Sequence, residues 1–167
     1  MTPQNNRTGP LANRLKEVFL NGRWIANTNY HEQLMDLNWQ QATQNWASLN
    51  SPAQLTFHIN YYLQGILSAF ETGKLEIHDA LRFQMPPIQN ANHWNDLRQN
   101  LFNHAMAFSE LVENLPDERL DQVFFEPQYG SVLRNIEACI EHAYYHLGQL
   151  VLIKKHLLQP QNQKTKP

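Results

Sequence analysis

His142 and His146 stand four residues apart in EHAYYHLGQLVLIKKHLL, the stretch from Glu141 to Leu158. Four residues of α-helix turn about 400°, so both imidazoles share one face, one turn apart. At that spacing two ring nitrogens can reach a single cation. The same face carries Asn135, Cys139, Gln149 and Ile153, a seam more polar than an ordinary core. The alternative is a pair of core histidines satisfied by carbonyls or hydroxyls. A third ligand from a second helix would separate the two readings.

His58, in QLTFHINYYLQGIL, is the first candidate, at the edge of the stripe formed by Leu55, Ile59 and Tyr62. His104 is its rival, lying between Leu101 and Phe108 on another apolar stripe. Three neutral imidazoles would leave coordination positions open to water or substrate. Cys139 shares the face of His142 and is a candidate fourth ligand or nearby thiol; the alternative is a small buried apolar residue. Gln149 is placed to orient a ligand imidazole or a bound water. Tyr62 and Tyr145 are candidates to line a pocket, against simple packing with the hydroxyl at the surface. No carboxylate lies on the seam, since Glu137 and Glu141 project elsewhere, so no catalytic base is assigned. His31, His78 and His156 read as surface residues.

These side chains need helices to carry them. A first helix is expected from about Pro10, whose missing N–H suits an opening turn, to a stop at Gly22. Residues 22–51 read as a connection with short helices near His31–Leu37 and Trp39–Gln44. A second long helix should follow Ser51–Pro52 and end at Gly73. Pro86–Pro87 forces a loop after it, with at most a helical turn over Ile77–Arg82. A third long helix is expected over Asn92–Asn114, striped by Leu97, Leu101, Phe108, Leu111 and Leu115, and ended by Pro116. The last should start after the N-cap Ser131 and run to about Leu158. Four long helices without strand alternation point to an all-α four-helix bundle, with long crossover connections and short extra helices. Residues 10–158 form the expected domain, between an extended or disordered tail at 1–9 and a flexible one at 159–167.

Composition narrows the function. The 167 residues are 42% hydrophobic and 17% charged with a net charge of −2, which makes no electrostatic case for nucleic acid. The single cysteine allows no intrachain disulfide and suits a reducing compartment. No apolar run is long enough for a membrane span, and MTPQNNRTGP has no apolar signal region. A cytoplasmic protein with no membrane partner is therefore expected.

The two histidine segments together resemble the DinB/YfiT-like superfamily of four-helix metalloproteins. FHINYYLQGIL is similar to that family's helix-two H-I-x-x-(W/Y) stretch, and HAYYHLGQLVLIKK to its closing H-x-x-Y-H-x-G-Q-I-x-x-x-(R/K) pattern. The likeness covers about Leu11 to Leu158, and WIANTNYHEQLMDLNWQQAT is similar to a subgroup with a short helical insertion. The resemblance implies that His58, His142 and His146 bind a divalent metal, zinc or nickel. It further implies a small-molecule substrate, with a low-molecular-weight thiol in some relatives, transferase or hydrolase chemistry, and a homodimer.

Overall fold

The structure, a computed structural model, describes residues 6–159; the rest of the two expected tails lies outside them. Within that span the chain is all-α. The helices are α1 (Thr8–Lys16), α2 (Tyr30–Met35), α3 (Trp39–Thr43), α4 (Pro52–Thr72), α5 (Ala91–Glu113) and α6 (Val132–Leu157). Among the described residues there is no strand, only an isolated bridge between Val123 and Ser131.

The long helices begin where their capping chemistry dictates. Ser51 accepts a hydrogen bond from Gln54 N while the Gln54 side chain returns to Ser51 N, with Pro52 at the first position of α4. Gly73, at φ 75°, closes α4 in the left-handed region that glycine enters without strain. Asn90 caps α5 through His93 N, and Ser131 caps α6 through Arg134 N.

The first helix departs from expectation at both ends. It opens at Thr8, so Thr8 and Gly9 belong to it and not to a tail; Arg7 N donates to Asp117 and Thr8 Oγ1 to Glu113 O. It closes through a π-turn over Glu17–Asn21. Gly22 sits at φ −96° and is no left-handed cap. A Cβ there would lie 2.5 Å from Glu17 Cα, so glycine is required by the close approach of the chain to itself.

α5 packs against α1 and α4, while α6 packs against α4 and, more lightly, α1. Their facing stripes form one core that includes Leu15, Leu55, Leu101, Phe108, Ile140 and Leu147, all at most 1% exposed. Each such side chain contributes about 1.5–3 kcal/mol, more than a helix cap of about 1 kcal/mol, so burial holds these helices in place. Leu111 and Leu115, expected on the α5 stripe, are only partly buried, and Val112 is buried instead.

α2 and α3 are too short to persist alone. Hydrogen bonds with the long helices hold α2 and Leu37 after it, and α3 packs against α4. Tyr30 OH donates to Ala143 O at 3.0 Å, and Trp94 Nε1 to Leu37 O at 2.8 Å. Lys154 Nζ donates to Gln33 O at 2.8 Å and Arg98 to Leu34 O at 3.2 Å, satisfying carbonyls at the end of α2. The inserted segment is thus clamped between α5 and α6. No helix among the described residues is long and apolar enough to cross a membrane.

Candidate metal centre

α6 presents His142 and His146 on successive turns, and α4 brings His58 across to them. His142 Nε2 lies 3.1 Å from His58 Nε2 and 2.9 Å from His146 Nε2, and one nitrogen of each ring lies within 4.8 Å of the other two. The three rings meet edge to face, with interplanar angles of 73–77°.

Protons alone do not satisfy this arrangement. A neutral imidazole offers one N–H and one lone pair, so His142 Nε2 can make one good hydrogen bond at most. It faces two nitrogens. A cation at the centre would instead accept all three lone pairs. Three nitrogens on one tetrahedral ion at about 2.0–2.1 Å would stand about 3.3 Å apart, close to the two separations seen. The residues present could therefore hold a metal ion.

The surroundings prepare the rings for that role. His146 Nδ1 donates to Gln149 Oε1 at 2.7 Å, which leaves the lone pair on the Nε2 that faces His142. His58 is 4% exposed and its ring stacks on Phe83 at 4.4 Å and 8°. Its Nδ1 is buried without a hydrogen-bond partner; the Arg82 backbone lies near enough to favour protonation weakly but falls short of a bond. Burial, then the neighbouring His146 and His142, lowers His58 to about 4. Burial and His146 do the same to His142, also to about 4, and burial lowers His146. All three are neutral, with lone pairs available, at neutral pH.

His104, the rival third ligand, lies elsewhere. Its Nδ1 meets Asn60 Oδ1 at 2.8 Å across the α4–α5 seam, and it takes no part in the three-histidine cluster. Cys139 is no member of the cluster either; it lines a cavity beside His142, and burial pushes its thiol up to about 12. Tyr62 lines that cavity too, its ring edge-on to His58 and His142. Tyr145 does not: it is 64% exposed and covers only the outer edge of His146. Glu137 and Glu141 pair with Arg14 and Arg134, away from the seam.

The cavity, about 380 Å³, lies between α4, α6 and two loops, and His142 is the one cluster member in its wall. Sequence reasoning missed the loop residues that complete it. Residues 75–83 lie over α4 as a strap. Tyr62 OH donates to Asp79 Oδ1 at 2.8 Å, and Tyr61 OH both donates to His78 O and accepts from His78 N. Ile77 packs so close to Gly65 that a Cβ there would lie 2.6 Å from Ile77 Cγ1. A glycine inside a long apolar helix was the one available signal of that approach. Asp79 and Phe83 had none, because a proline-bounded loop has no periodicity to read. Comparison of the chain with family models, with curated proteins and with solved structures gives no match.

Proposed function

We propose that His58, His142 and His146 hold one divalent ion, zinc or nickel, in a DinB/YfiT-like metal-dependent enzyme. It would act on a small molecule, by thiol transfer first and hydrolysis second. The observation that carries this reading is the convergence of three imidazole nitrogens from two helices beside a cavity that one of them borders. The packing of α1, α4, α5 and α6 supports a four-helix-bundle reading, with α2 and α3 as an insertion in the first crossover. A low-molecular-weight thiol cosubstrate, a homodimer and a cytoplasmic setting follow from the sequence resemblance and belong to the same proposal.

A bound ion supplies Lewis acidity, which lowers the pKa of a coordinated water or thiol enough to give a nucleophile near neutral pH. The chain's own residues prepare the site. Burial keeps the imidazoles unprotonated, Gln149 fixes the ring of His146, and Phe83 covers His58. Tyr62, pushed up to about 12 by burial and then by Asp79, stays protonated and keeps its hydrogen bond to that carboxylate. Only three protein ligands converge among the described residues, one fewer than closes a structural zinc site, which favours an enzyme over a structural metal.

The test is the metal content of purified protein incubated with zinc or nickel, beside His142→Ala. One ion per chain, lost in the variant without loss of helical circular dichroism, is the expected result. Wild-type protein that retains no metal overturns the reading. Metal bound without turnover in a screen of thiols against electrophiles and of activated esters favours a binding protein over an enzyme.

A further inference from the structure

The cavity beside His142 contains one carboxylate and, among the described residues, no lysine or arginine in its wall. Ile66, Leu75, Ile77 and Phe124 make much of that wall apolar. Two of its polar side chains spend their donors within the protein. The Tyr62 hydrogen is committed to Asp79 Oδ1. The Asn135 amide donates at 2.8 Å to Tyr129 O and to Ser131 O, which leaves its oxygen as the free end. Arg82 stands 4.0 Å from Asp79 Oδ2, outside the wall, so it tempers that charge without offering the cavity a cation. Tyr129, 43% exposed at the mouth, has the one uncommitted hydroxyl there.

We infer that this cavity selects an uncharged, largely apolar ligand with a hydrogen-bond donor where it meets Asp79. Ligands bearing a carboxylate or phosphate away from their reactive atom are excluded. The inference rests on the metal reading for where the reactive atom sits, beside His142, and on the cavity alone for the rest. An anion set against the apolar wall loses hydration there with no cationic side chain to compensate it, and Asp79, whose side chain is 76% exposed, adds a solvent-screened repulsion. A donor facing Asp79 makes a charge-assisted hydrogen bond instead. Size agrees, because a cavity of about 150 Å³ takes a benzene ring, and this one, at about 380 Å³, takes a substituted ring. Under the thiol-transfer reading, the thiol or the electrophile that fills this cavity is uncharged, and multiply carboxylated thiols fit it poorly.

The experiment uses benzyl mercaptan and 4-(mercaptomethyl)benzoate, which differ by one distal carboxylate. The full chain is loaded with cobalt(II), and the sulfur-to-cobalt charge-transfer band reports binding. Benzyl mercaptan is expected to bind at least about tenfold more tightly. Asp79→Asn should narrow that ratio about twofold by removing the screened repulsion. Ala138, on α6, also lines the cavity, so Ala138→Phe, which fills it, should weaken benzyl mercaptan about tenfold with cobalt content unchanged; Leu75→Trp serves if that variant does not fold. Equal or tighter binding of the carboxylate probe overturns the inference, as does unchanged binding in the filled variant. Failure to take up cobalt overturns the metal reading alone. In that event benzyl alcohol and benzoate, compared on the metal-free protein by NMR shifts of Ala138 and Ile77, decide the cavity's preference.

Discussion

His146 Nδ1 donates to Gln149 Oε1 at 2.7 Å, one turn along the same helix, and thereby leaves its Nε2 lone pair facing His142. A hydrogen bond on the far nitrogen of a ligand imidazole fixes its tautomer and orientation. Gln149→Leu should weaken metal binding about 10–100-fold while stoichiometry at saturation stays at one. Competition against a chromophoric chelator measures it. Unchanged affinity would remove Gln149 from the site.

Replacing the cluster histidines one at a time should separate ligands from neighbours. His58→Ala, His142→Ala and His146→Ala should each lose the ion at micromolar concentrations. His104→Ala should keep it, because His104 meets Asn60 and not the cluster. Metal analysis after gel filtration decides this. Metal loss in the His104 variant, with its helical content intact, would contradict the assignment.

The depressed imidazoles set the direction of the pH response. Folded pKa values of about 4 for His58 and His142 lie below the ordinary 6.5. Between those values the unfolded chain binds more protons than the folded one, so stability rises with pH across the window and levels off above it. Thermal unfolding in chelator between pH 4.5 and 7.5 should show this slope, and a variant with all three histidines replaced by asparagine should have less of it. Metal affinity should stay level down to about pH 5. Ordinary imidazoles would lose about tenfold per ring per pH unit below 6.5.

The strap over α4 hangs on side chains that can be cut singly. Tyr61→Phe removes the acceptor of His78 N–H, and a bond of about 1 kcal/mol corresponds to roughly fivefold faster exchange of that amide. Gly65→Ala should have a larger effect, since the new methyl meets Ile77. Hydrogen exchange over residues 75–83 reads both variants, and unaltered exchange in Gly65→Ala would show that the strap gives way without detaching.

Lys154→Met keeps the apolar stem but strands the Gln33 carbonyl at the end of α2, where Lys154 is 8% exposed. A buried carbonyl left without its donor costs about 1–3 kcal/mol. Denaturant unfolding should show that loss, and a change below about 0.5 kcal/mol would mean that water replaces the ammonium.

The long helices were legible because their periodic stripes and caps are local. Ser51–Pro52, Gly73 and Ser131 mark the observed ends, and the short helices near 31 and 39 also occur. Gly22 misled, because a close approach and a left-handed cap call for the same residue; φ alone tells them apart.

The sequence by itself determined that the chain is helical and that His142 and His146 share a face, because helical pitch converts spacing into direction. It also put forward His58, without excluding His104. Only the tertiary structure chose between them, because depth and rotation across two packed helices depend on the whole interface. The cavity that Asp79 borders, and the cover that Phe83 lays over His58, belong to the tertiary structure as well. Loop side chains reach the site through single contacts, such as Tyr62 with Asp79 and Phe83 with His58, and no local pattern in the chain encodes those meetings.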